Sequence, residues 1–220
     1  MKELVLPDKL IERLEEIYQK LQDEYDRVAR DLRFSCNGCS DNCCDSYFLH
    51  HTYLEWAFLW IGFRRLEAHR QEAILDRART WLTQCEKALA IGTRPQVMCP
   101  LNSNGMCMLY EHRLLVCRTH GVPAKMTRPD GRELQFPGCF RCQEIVVEEY
   151  RAQQVPYVAR TPLLHALAAL ENQLLGGERF LFPKVKMTIA EMLVKGPPVL
   201  SLPQSHHNQG VEKNNAGTCK

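Results

Sequence analysis

Ten of the eleven cysteines in this 220-residue chain lie between positions 36 and 142, and nine of them, all but Cys85, fall in two crowded blocks. The run CNGCSDNCC supplies Cys36, Cys39, Cys43 and Cys44, and Cys99, Cys107, Cys117, Cys139 and Cys142 follow. A thiolate is a nucleophile and a soft metal ligand. The spacing favours the second role. Two C-x-x-C pairs, Cys36/Cys39 and Cys139/Cys142, can each deliver two sulfurs to one ion, and together they make four ligands. All nine cysteines are therefore candidate metal ligands, with zinc and an iron–sulfur cluster both open as occupants.

Other uses of these thiols fit less well. A redox C-x-x-C of the thioredoxin kind needs a βαβ pattern around it, and the flanking helical patterns do not supply one. Cys43 and Cys44 pose a separate question, because adjacent side chains on extended backbone point to opposite faces. Either the chain kinks there to bring both to one metal, or one turns to the first site while the other packs or serves a second. His112 and His120 are nitrogen donors for a mixed zinc site, or surface groups beside it. Arg113, Arg118 and Lys125 lie among the thiols and would offset the charge of a thiolate cluster.

These side chains must be held by elements that the pattern also indicates. Asp8 reads as a cap for a helix with an apolar stripe at Leu10, Leu14, Ile17, Leu21, Val28 and Leu32. The stripe is a packing face, or a docking face for a protein partner. Asn37-Gly38 marks a tight turn inside the first cysteine run, and Tyr47–His51 reads as a short strand. Thr52 and Glu55 form a T-x-x-E capping box before a largely buried helix, expected to break near Gly62. A second helix runs from Leu66 to Ala90, with Cys85 on its apolar face, and Gly92 and Pro95 end it.

From Pro95 to Cys142 helical periodicity fails, and Asn102-Ser103-Asn104-Gly105 reads as the turn of a hairpin. So long an irregular segment needs another source of cohesion, and the five scattered cysteines provide it. Thr161-Pro162 then opens a helix that Gly176-Gly177 stop, and Thr188 and Glu191 repeat the capping box. The tail from about Pro203 is polar and aperiodic, and Cys219 lies in it.

Composition bounds the rest. With 45% hydrophobic and 25% charged residues the chain can bury a core, and a net charge of +2 gives no concentrated basic surface for nucleic acid or anionic membranes. No signal segment and no apolar run long enough to span a bilayer is visible. The expectation is a cytoplasmic, reducing location, in which eleven cysteines do not form a disulfide framework.

CNGCSDNCC followed by CPLNSNGMCMLYEHRLLVCRTHG resembles the bacterial cysteine-cluster family of zinc- or iron-chelating domains, the CxxCxxCC or YkgJ-type proteins. Cys36, Cys39, Cys43 and Cys44 fall on the first motif and Glu55 on an acidic helix-opening position. Cys99, Pro100, Leu101, Gly105, Cys107, Tyr110, Glu111, Arg113, Cys117 and Arg118 fall on the second block. The match spans residues 36–122. Cys43 follows Cys39 by a three-residue spacer instead of two, and Leu114 stands where the family has proline. The resemblance implies a metal centre. One branch resembles flagellin lysine N-methylases, so a protein-modifying enzyme is the alternative, although no glycine-rich methyl-donor loop is present. A non-catalytic metal-handling or interaction protein is the third reading.

The expected fold is mostly α, with an irregular cysteine-rich metal-binding middle segment and a few short strands. The expected organisation is an N-terminal helix (1–33), a cysteine-cluster domain with a helical insertion (34–145), a C-terminal helical extension (146–202) and a disordered tail (203–220).

Overall fold

The computed structural model describes residues 2–37, 43–150 and 154–200, with the side chain of Cys43 excepted. Its elements run β1 (Lys2–Glu3), α1 (Asp8–Asp31), α2 (Tyr53–Arg64), α3 (Ala68–Ala90), β2 (Asn102–Ser103), β3 (Met106–Cys107), α4 (Leu115–Thr119), β4 (Ala124–Thr127), β5 (Glu133–Phe136), α5 (Phe140–Tyr150), β6 (Val158–Ala159), α6 (Arg160–Leu174), α7 (Ile189–Lys195) and β7 (Val199–Leu200). The fold is mostly α with short strands. None of its described helices is long and apolar enough to cross a membrane.

The stripe on α1 is an interior face. Leu10, Leu14, Ile17, Leu21, Val28 and Leu32 are buried in a core shared with Leu163, Leu167 and Leu170 of α6 and Leu115 of α4. The face is thus covered within the chain itself. The cap differs from expectation: Pro7 takes the N-cap position and makes no side-chain cap, while Asp8 is the first helical residue, where its charge meets the positive helix end.

Helix α2 is apolar on all sides because it divides two cores. Leu54, Ala57 and Phe58 face α1, and Tyr53, Trp56, Leu59 and Phe63 face a second core with Ile74, Ala78 and Trp81 of α3 and Met192 and Leu193 of α7. Its N-terminus is held twice. Thr52 Oγ1 accepts from Glu55 N at 3.1 Å, and Glu171 Oε1 accepts from Tyr53 N at 2.9 Å. The indoles of Trp56 and Trp60 donate to the Met192 carbonyl at 3.2 and 3.0 Å, which ties α2 to α7. The box at Thr188 and Glu191 is complete, with both reciprocal bonds present.

Gly62 does not break α2, which continues to Arg64. It is there for space. A Cβ at this position would lie 2.4 Å from Cγ of His112, whose ring stacks on Phe58 with centroids 4.7 Å apart. Alanine is the better helix former by about 1 kcal/mol, yet Gly62→Ala is expected to destabilise the protein by about 1–3 kcal/mol through overpacking. A guanidinium chloride unfolding midpoint shifted downward at unchanged slope is the expected reading.

The second helix begins at Ala68, and the stop at its far end is as expected, with Gly92 at φ 75°. Cys85 is buried on its apolar face, 3% exposed. Tyr47–His51 makes no strand; Ser46 and His50 form only isolated bridges, to Gln96 and Met187. The middle segment holds more regular structure than its sequence suggests. Strands β2 and β3 pair antiparallel around Asn104 and Gly105, at φ 52° and 84°, the left-handed pair that a tight Asn-Gly hairpin requires. Strand β4 pairs antiparallel with β5 and parallel with β6. Helix α5 fills a stretch expected to be irregular at its start, and α6 opens at Arg160, two residues before Pro162. Thr161 instead uses its hydroxyl to accept from Thr127 N at 2.8 Å, pinning α6 to β4.

Candidate metal centre

The middle of the molecule holds a cavity of about 490 Å³ whose lining includes Cys36, Cys44, Cys99, Cys107, Cys117 and Cys139. Six of the nine candidate ligands thus face one space, and together with the buried Cys142 they divide into two sets.

The first set is Cys44, Cys99, Cys107 and Cys117. Cys44 follows α1 in a short 3₁₀ turn, Cys43–Asp45, and its carbonyl accepts from Cys99 N at 2.9 Å. Cys99 precedes the β2–β3 hairpin and Cys107 ends its second strand, with Asn102 N donating to the Cys99 carbonyl and Met108 N to the Leu101 carbonyl. Cys117 comes from the centre of α4. Each of the last three thiols lies near enough to others of the set for their charges to interact. Cys117 senses Cys99, Cys107 and Cys44; Cys99 senses Cys107 and Cys44; Cys107 senses Cys44.

Their environment has two opposing parts. Burial pushes the Cys99 thiol up to about 12, and it raises Cys107 and Cys117 as well. Against this, the Leu101 backbone N–H bonds the sulfur of Cys99 and the Leu109 N–H that of Cys107, each favouring the thiolate. The same local device occurs twice, in Cys99-Pro100-Leu101 and Cys107-Met108-Leu109. It is a knuckle in which the amide two residues on favours the charged form of the sulfur. Guanidinium groups act in the same direction: Arg77 on Cys99, and Arg113 and Arg118 on Cys107. Arg77 is held by the Pro100 carbonyl at 2.9 Å, Arg113 over the Tyr110 ring at 3.6 Å, and Arg118 over the Tyr18 ring at 4.3 Å.

Glu55 positions Cys117. Its carboxylate does not return to the Thr52 backbone to complete a capping box. Oε1 instead accepts from Leu115 N, the first residue of α4, at 2.6 Å and from Tyr18 Oη at 3.1 Å, while Oε2 accepts from Thr52 Oγ1 at 3.0 Å. One buried carboxylate therefore joins α1, α2 and the cysteine-bearing α4. Burial raises its pKa, offset in part by these bonds.

The second set is Cys36, Cys139 and Cys142. Cys142 is fully buried in the first core, Cys36 is exposed, and Cys142 senses the charge of both Cys139 and Cys36. Cys36 thus lies on the α5 side of the cavity, and the expected four-ligand set of Cys36/Cys39 with Cys139/Cys142 includes Cys39, outside the described residues. Cys39 lies outside the described residues, as do the Gly38 turn and the side chain of Cys43. Cys44 belongs to the first set.

The imidazoles serve packing. His112 stacks on Phe58, and His120 sits edge-on to Phe48 at 5.0 Å, burial pushing its pKa down to about 4. Among the described residues no three His, Cys, Asp or Glu side chains close to the spacing of a single bound ion. Sequence reasoning missed the backbone knuckles and the role of Glu55. The repeated C-x-L of CPL and CML was the available signal for the first; nothing in the sequence marks the second. No family model, no curated protein and no solved structure matches this chain.

Proposed function

We propose that this chain is a thiolate metal-binding protein in which Cys44, Cys99, Cys107 and Cys117 hold a resident centre, an iron–sulfur cluster or a zinc ion. The observation that carries this is the convergence of these four thiols on one cavity, which Arg113 also lines. Amides and guanidinium groups that favour thiolate have little purpose around four thiols buried as neutral groups. The donor set fits either occupant: four sulfurs suit tetrahedral zinc or a cubane equally. When bound, such a centre supplies the positive charge that replaces the thiol protons, and its binding free energy becomes folding free energy.

The resemblance of the two cysteine blocks to zinc- or iron-chelating proteins supports the same reading. A reducing, cytoplasmic setting goes with it, since thiols kept for metal must not be oxidised. Anaerobic purification with iron, zinc and acid-labile sulfide analysis is the test. Iron with equal sulfide identifies a cluster, and zinc without sulfide identifies a zinc centre. A protein that retains neither overturns the proposal.

A further inference from the structure

The cavity at the middle of the molecule is lined by more than thiols. Phe48, His50, Leu59, Trp81, Ile189 and Ala190 contribute to its wall, so much of that wall is aromatic or aliphatic. Its volume of about 490 Å³ lies in the ~300–1,000 Å³ range of small-molecule sites and far exceeds what one thiolate-bound ion fills. Among the described residues no Asp or Glu lines it, whereas Arg113 and Arg141 do. The space therefore suits an apolar body that carries a negative charge.

His50 is left over by the fold. It is 1% exposed, and among the described residues neither ring nitrogen has a hydrogen-bond partner. Its backbone is fully engaged, since His50 N donates to the Met187 carbonyl at 2.7 Å and Met187 N to the His50 carbonyl at 3.1 Å. That bridge holds the imidazole at the cavity wall, beside the Thr188 capping box. The Thr188 hydroxyl is spent on Glu191 and the Trp81 indole on the Val97 carbonyl, so neither serves the ring. Buried polar groups are otherwise paired in folded proteins. Burial also pushes the His50 pKa down to about 3, which keeps the ring neutral, one nitrogen a donor and the other an acceptor. A hydroxyl both donates and accepts, so it can pair with the ring in either tautomer.

We infer that this cavity binds a small aromatic hydroxy acid, with its hydroxyl on His50, its ring against the apolar wall and its carboxylate on Arg141. Arg141 is half-buried and spends one nitrogen on the Asn37 carbonyl at 3.3 Å, which orients the guanidinium and leaves it donors to spare. A planar guanidinium pairs with a carboxylate through two parallel bonds. A single charge suits the site better than a doubly charged phosphate, because the wall is apolar and desolvating charge is costly. Trp81 and Phe48 favour an aromatic body through stacked or edge-on contact. None of the thiols takes part, so the inference does not rest on the resident centre.

The test is titration calorimetry on the full chain, purified anaerobically. The probes are 4-hydroxybenzoate, 4-hydroxyphenylacetate and 3-(4-hydroxyphenyl)propionate, which differ in the reach from hydroxyl to carboxylate. At least one is expected to bind, about ten-fold or more tighter than its analogue without the hydroxyl. The amine tyramine is expected not to bind. His50→Leu is expected to bind the acid and its deoxy analogue equally. Its thermal midpoint without ligand is expected not to fall, since the imidazole gives up no hydrogen bond. Arg141→Gln is expected to weaken both acids alike. No binding of any of the three acids, equal binding of tyramine, or discrimination that survives His50→Leu overturns the inference. So does a lower midpoint in His50→Leu with unchanged binding, which marks a structural histidine. Iron, zinc and sulfide analysis of the same samples keeps the two readings apart. Binding by metal-free protein overturns the resident centre alone, and metal without binding overturns this site alone.

Discussion

Cys117→Ser is expected to reduce resident metal to background and to loosen the segment between Pro95 and Thr119. Cys117 interacts by charge with the other three thiols of the first set, and it is the one that projects from an α-helix. A serine hydroxyl is a poor ligand for soft metals. Structural thiolate zinc contributes roughly 10–16 kcal/mol to folding in small domains. Losing even a third of that, about 4 kcal/mol, is a large part of the ~5–15 kcal/mol that holds a typical domain together. Iron and zinc analysis measures the first effect, and hydrogen exchange across β2, β3 and α4 measures the second. Cys85→Ser is the control. Cys85 is also buried, with burial pushing its pKa up to about 11, but it packs in the second core with Trp81 and Ile74. That variant is expected to lose stability while keeping its metal.

Glu55→Ala is expected to cost about 3–5 kcal/mol, because it strands several buried donors at once. Leu115 N, Tyr18 Oη and Thr52 Oγ1 all donate to this carboxylate, and Glu55 itself is 4% exposed. Water cannot easily replace it there. Glu55→Gln keeps one acceptor oxygen and is expected to cost less, about 1–2 kcal/mol. Equilibrium denaturation of the two variants separates these outcomes. Since the carboxylate anchors the first residue of α4, Glu55→Ala is also expected to weaken metal retention at Cys117, whereas equal metal content in both variants would argue against a positioning role.

Local chemistry was readable wherever the sequence itself imposes the geometry. Asn104-Gly105 needs left-handed backbone at two successive residues, and only such a pair closes a two-residue hairpin well, so the β2–β3 turn was visible in advance. The stripe on α1 and the apolar α2 were equally plain, because burial on one side or on all sides leaves a periodic record. Thr188 and Glu191 form their box within four residues, and need nothing from elsewhere. The boundaries that failed depended on distant partners. Thr161 looked like a helix cap but spends its hydroxyl on Thr127, and Gly62 looked like a helix breaker but makes room for the His112 ring. Glu55 is the clearest case: its spacing from Thr52 indicates a capping box, while its carboxylate is drawn to the unsatisfied N–H of Leu115, sixty positions away in the chain.

The sequence by itself determined that this is a mostly helical chain with an unusual concentration of thiols. Spacing within a turn is a local property, and residue types carry it. The tertiary structure decided the grouping. It sends Cys44 to the hairpin and to α4, because the Cys44 carbonyl pairs with the Cys99 amide. It brings Cys36 to α5, because Gly121 and Gly138 allow backbones to approach where any side chain would hold them apart. Which sulfurs meet depends on how close three segments can pack, and that distance is set by residues far apart in the chain.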